Sequence, residues 1–130
     1  MFVDASALLA ILLREPDSDR FIEALEEADR LYTSPIALFE TTTGLMSKRP
    51  MPLSVAQERV HRVLDAASIQ IVSITDEIGR LALDAHDRYG KERGHLAQLN
   101  MGDCFAYACA KAHGLRLLYK GNDFSRTDLA

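Results

Sequence analysis

The feature that most constrains this chain is the alternation of very short apolar or β-branched runs with longer stretches of helical periodicity. Met1 to Asp4, Leu31-Tyr32-Thr33, Ile69 to Ile74 and Leu115 to Tyr119 read as strands of a few residues each. Helices are predicted between them. Ala5 to Leu12 is rich in helix formers, and Pro16 to Ala28 places Phe21, Ile22, Leu25 and Ala28 on one face. A third helix opens on Ser34 as N-cap with Pro35 at the first helical position, and Pro50 and Pro52 end it. Ser54 to Ala67 forms a fourth, and Thr75 with Asp76 caps a fifth that runs to Tyr89 and stops at Gly90. Lys91 to Leu99 is a polar loop, and Asn100 caps a last helix from Met101 to His113, closed by Gly114. Strands joined through helices need crossover connections, so the expected fold is α/β, a three-layer α/β/α arrangement with a central, mostly parallel sheet. With 130 residues and no repeat, linker or change of composition, a single domain over residues 1–130 is expected.

Several function classes drop out. The apolar runs are too short for a membrane span of roughly 20 residues. Met1-Phe2-Val3-Asp4 has no basic segment followed by a long apolar stretch, so no export is expected and a reducing cytoplasm is the default location. Cys104 and Cys109 lie on one predicted helix in poor disulfide geometry, and His61, His86, His95 and His113 show no paired spacing, which argues against structural zinc. The net charge of −4 argues mildly against nucleic acid. Acids that hold divalent cations, however, count as negative in that tally while presenting positive charge once loaded.

Four acids interrupt apolar neighbourhoods: Val3-Asp4-Ala5, Leu38-Phe39-Glu40, Gly102-Asp103-Cys104 and Asn122-Asp123-Phe124. A carboxylate near a core must be paired, hydrogen-bonded or bound to a cation. Each alone has an ordinary explanation: Asp4 as a helix cap, Asp123 as a turn residue, Glu40 as one half of an ion pair. Together they require four separate elements to converge, two of them strand ends, where open parallel sheets place their crevice. Oxygen-only ligands select Mg²⁺ or Mn²⁺, metals that bind phosphates and lower the pKa of bound water, so phosphodiester hydrolysis is the expected chemistry. Ser6, Cys104 and the histidines form no Ser/His/Asp or Cys/His arrangement, which disfavours a covalent route.

Met1 to Ser6, Ser34 to Glu40, Leu99 to Ala108 and Leu117 to Phe124 together resemble the successive motifs of PIN-domain ribonucleases, in order and spacing, across essentially the whole chain. The resemblance is nearest to the VapC-type toxins of bacterial toxin–antitoxin pairs. It implies a PIN-like α/β/α domain, an acidic Mg²⁺ or Mn²⁺ pocket, endonuclease action on RNA, a homodimer and a cognate antitoxin that places a basic side chain at the pocket. Carried over by position, Asp4, Glu40, Asp103 and Asp123 become the catalytic and metal-binding acids, with Ser6 a supporting polar group beside Asp4. Asp128 stands as a rival to Asp123.

Lys48, Arg49, Arg88, Lys91, Arg93 and Lys120 are candidates for phosphate contacts around the rim, although most of them read as solvated surface charges; His95 is an exposed loop residue or RNA contact, and Phe105, Tyr107 and Cys109 read as helix packing, with Tyr107, one turn beyond Asp103, the one that could reach the pocket. Two other readings stand beside the toxin. One is a PIN-fold nuclease for RNA processing or for DNA. The other is a non-catalytic module whose acids receive a basic partner.

Overall fold

The computed structural model describes residues 1–130. Its elements are β1 (Phe2–Val3), α1 (Ala5–Leu12), α2 (Ser18–Glu27), β2 (Leu31–Thr33), α3 (Pro35–Lys48), α4 (Leu53–Ala67), β3 (Ile69–Ile71), α5 (Asp76–Tyr89), α6 (Met101–Ala112) and β4 (Leu117–Leu118). The four strands form one sheet in the order β3-β2-β1-β4, and every pairing is parallel. The expected α/β/α layering and parallel sheet are therefore what the chain adopts.

Local chemistry explains most of the boundaries. Ser34 caps α3 by accepting from the Ala37 amide at 3.1 Å, and Thr75 caps α5 by accepting from Ile78 at 3.2 Å. Asn100 and Asp103 build a reciprocal capping box on α6, and Gly114 takes φ +62° just beyond its end. Three expectations shift. The second helix begins at Ser18 rather than Pro16. The third and fourth strands are shorter than predicted, because the sheet pairs only Ile69 to Ile71 and Leu117 to Leu118. Gly90 is extended (φ −66°, ψ 161°) and bridges Leu99, so it ends α5 without a left-handed turn; a side chain there would collide with His86.

The two faces of the sheet bury separate apolar clusters. Phe2 packs with Ala82, Tyr89, Tyr107, Ala108 and Phe124 on the α5/α6 side. Val3 packs with Leu8, Phe21, Leu31, Leu64 and Ile69 on the α1/α2/α4 side. Adjacent residues of one strand thus feed opposite layers. Met46 and Met51 fill space around Leu45, Ala56 and Val60 between α3 and α4.

Candidate active site

Sheet order β3-β2-β1-β4 reverses direction between β1 and β4, and the crevice beyond the carboxyl ends of those two strands is where such folds bind ligands. Asp4 directly follows β1, and the Lys120–Asp123 turn follows β4. Helices α1, α3 and α6 all present their N-terminal parts at this edge, carrying Asp4 as N-cap, Glu40 in the second turn and Asp103 in the first turn. Three helix ends, each with partial positive charge, therefore face the place where the acids gather.

Asp4 is only 5% exposed. Its Oδ2 accepts from the Ser6 amide at 3.1 Å and from Ser6 Oγ at 2.6 Å, which caps α1. Ser6 Oγ in turn accepts from the Lys120 amide at 2.9 Å. One hydroxyl thus ties the turn after β1 to the turn after β4. Burial raises the Asp4 pKa, the Ser6 hydrogen bonds oppose the rise, and the Asp123 charge adds to it.

Asp103 is 8% exposed, and its Oδ2 accepts from the Asn100 amide at 3.1 Å. Burial lifts its pKa to about 7 against that hydrogen bond, with the Asp123 and Asp4 charges pushing the same way as burial. Glu40, half-buried on α3, is also raised to about 7, by burial first and by the Asp4 charge second. The four carboxylates therefore sense one another. None is in an ion pair with any Lys, Arg or His of the chain. As they stand, no three converge closely enough to form a ready-made metal chelate.

Gly102, to which the sequence assigned no role, proves to be part of this arrangement. A Cβ there would overlap the Glu40 carboxylate, so the second position of α6 has to be glycine for Glu40 to lie against that helix end. The available signal was a glycine inside a helix, which costs about 1 kcal/mol relative to alanine and needs a reason.

Asp128 belongs elsewhere. It accepts from the Tyr107 hydroxyl at 2.6 Å and pairs with Lys111 at 2.5 Å; burial works against its ionisation, but these partners hold its pKa below the usual carboxylate range. Tyr107 is directed to Asp128, and its own pKa is pushed up, chiefly by burial. His95 accepts from the Ala97 amide at 3.0 Å and sets its ring edge-on to Tyr89, which makes it an organiser of its loop. Among the candidate rim bases, Lys120 is engaged by Glu15 and Asp17, Arg93 by Asp87, and Arg88 lies over the Tyr89 ring. Cys104 and Cys109 are buried free thiols, each raised to about 11, mainly by burial.

The PIN domain, as a family, matches residues 1–129. The chain belongs to the PIN-domain family. This PIN-domain chain is 45% identical to a VapC ribonuclease of Rhizobium meliloti, the match covering 98% of each. Its fold is similar to that of VapC20 of Mycobacterium tuberculosis, a toxin that cleaves the Sarcin-Ricin loop, with a TM-score of 0.76 and 17% identity over 95% of this chain and 92% of that one. It is also similar to a chain of a toxin–antitoxin complex from Klebsiella pneumoniae, with a TM-score of 0.72 and 19% identity over 98% of this chain and 92% of that one. No helix of the PIN-domain chain is long and apolar enough to cross a membrane.

Proposed function

We propose that this chain is a metal-dependent endoribonuclease, the toxin of a type II toxin–antitoxin pair, acting in the cytoplasm as a single PIN-like domain. The observation that carries the reading is a set of four mutually repelling carboxylates at the β1/β4 crevice with no protein cation beside them. A group of like charges in a half-dry site is unstable without a counter-charge. The donors are all hard carboxylate oxygens, which suit Mg²⁺ or Mn²⁺ and exclude a thiol-seeking metal. Asp4, Asp103 and Asp123 would hold the ion, with Glu40 beside them. The bound cation supplies Lewis-acid polarisation of a phosphodiester and a water of lowered pKa.

The chain's own residues do the rest. Ser6 occupies one oxygen of Asp4, leaving the other for a ligand, and the Asn100 amide does the same for Asp103. With both oriented from behind, their free oxygens are fixed without rotation of the whole carboxylate. In the metal-free chain Glu40 and Asp103 have pKa values near 7, so binding of a cation is expected to release protons from them. In the absence of a cation the crevice repels RNA, so substrate and metal are expected to bind together. The relatives named as ribonucleases support the substrate class and the toxin–antitoxin complex supports a cognate antitoxin partner, and the family resemblance adds a homodimer to the proposal. The basic side chain of such a partner would complete the unpaired carboxylates and silence the site.

The test is Mn²⁺ titration by calorimetry together with cleavage of labelled RNA, for the wild-type chain and Asp4→Asn. Micromolar to millimolar Mn²⁺ binding and cleavage, both lost in Asp4→Asn, are expected. Unchanged Mn²⁺ binding in the variant would point to a structural acidic cluster, and cleavage of DNA alone would point to another PIN-fold nuclease.

A further inference from the structure

At the far end of α1 from the acids lies a second concave feature, of about 520 Å³, lined by Arg14, Arg49, Arg59 and Arg62 over the apolar floor of Ile11 and Val63. Four guanidinium groups around one groove are unexpected in a chain of net charge −4. Arg62 is paired with Glu58 at 2.5 Å, and Arg49 donates to the Leu13 carbonyl at 3.2 Å, which anchors it in place. Arg14 and Arg59 have no carboxylate partner, so their guanidinium groups are free to take a phosphate. Arg14 also takes φ +52°, a left-handed backbone that a non-glycine residue adopts at a cost of order 1 kcal/mol. A glycine or asparagine would terminate α1 more cheaply.

The groove is connected to the acidic crevice through the chain that follows it. Residues Glu15 and Asp17, next to Arg14, grip Lys120, whose amide donates to Ser6 Oγ, the group that holds Asp4. Between Asp4 and Arg14 run the eight-residue α1, about 12 Å long at 1.5 Å per residue, and its C-cap Leu13.

We propose that Arg14, Arg49, Arg59 and Arg62 form a phosphate-binding exosite that anchors the RNA strand at the far end of α1 from the bond to be cut. The inference rests on the ribonuclease reading. An acidic crevice in an acidic chain cannot attract a polyanion from solution, and planar guanidinium groups bind phosphate in forked pairs. This groove supplies the attraction that the crevice lacks.

The experiment compares the wild-type chain with an Arg14→Gln/Arg59→Gln double variant and with the corresponding Lys variants. Both positions are exposed at the groove, so folding should be unaffected. Binding of a fluorescein-labelled single-stranded RNA 20-mer is measured in EDTA as salt is varied, and cleavage of the 20-mer and of a dinucleotide is measured in Mn²⁺. The Gln variant should bind the 20-mer roughly tenfold more weakly, with the slope of log affinity against log salt reduced by about 1.4 for two lost phosphate contacts. KM for the 20-mer should rise with kcat unchanged, the dinucleotide should be indifferent, and the Lys variant should recover much of the loss. An unchanged slope and KM would overturn the exosite, as would intact RNA binding with lost affinity for an acidic antitoxin segment. If neither protein cleaves yet the slopes differ, the exosite stands and the nuclease reading falls.

Discussion

Replacing Asp103 with Asn removes one negative charge from the crevice while keeping an acceptor oxygen for the Asn100 amide, so the α6 capping box can survive. In the folded chain the Asp103 pKa lies at about 7 against an ordinary value of 3.8. Taken whole, that displacement corresponds to about 4 kcal/mol at about 1.4 kcal/mol per pH unit. Burial of the carboxylate is the largest cause, the Asp123 and Asp4 charges add to it, and because the titration is shared among these acids and Asp123 is exposed to solvent, about 1 to 2 kcal/mol is left. The sign follows from proton binding. Below the ordinary carboxylate pKa both folded and unfolded chains carry the proton, and Asp103 costs nothing. As pH rises from about 4 through about 7 the unfolded chain releases its proton first, so folding is progressively penalised. Thermal unfolding in EDTA, followed by circular dichroism, should therefore show Asp103→Asn matching the wild type near pH 4 and exceeding it by roughly 3 to 7 °C at pH 8. Saturating Mn²⁺ should reverse the ranking, because only the wild type gains binding energy from the ion. A variant no more stable than the wild type at pH 8, or a difference that does not grow with pH, would refute the account of the crevice as uncompensated charge.

Gly102→Ala should keep or slightly raise the melting temperature, since alanine favours a helix by about 1 kcal/mol. Its cleavage rate should nevertheless fall at least tenfold, because the Glu40 carboxylate must swing away from the new Cβ; full activity would show that Glu40 is not needed where it lies. Asp128→Asn should leave RNA cleavage within about twofold of wild type while lowering stability by about 0.5 to 1 kcal/mol through the lost Lys111 pair and the weakened Tyr107 acceptor. A large loss of cleavage at unchanged melting temperature would put Asp128, not Asp123, among the working acids.

The sequence by itself determined the elements and their ends. Caps at Ser34, Thr75 and Asn100, the stop at Gly114 and the periodicity of each helix are local chemistry, and local chemistry can be read along a chain. Asp4, Glu40 and Asp103 were legible for a related reason: each breaks an apolar run, and burial makes such a break costly, whereas the exposed Asp123 was legible only from its place in the turn after the last strand. Strand lengths were less legible, because Val72, Ile74 and Tyr119 have β-branched or aromatic side chains but a strand exists only where a neighbour pairs with it. Tertiary structure alone decided which partner each side chain met. Asp123 and Asp128 are both turn acids near the carboxyl terminus. The fold sends the first toward Asp4 and Asp103 and the second to Lys111 and Tyr107, a choice fixed by where β4 and α6 lie. Likewise Ser6 meeting the Lys120 amide, Glu40 lying over Gly102, and four arginines from α4 and from the chain just after α1 and α3 lining one groove are meetings between distant segments. Their energies depend on separation and burial, which exist only once the chain has packed.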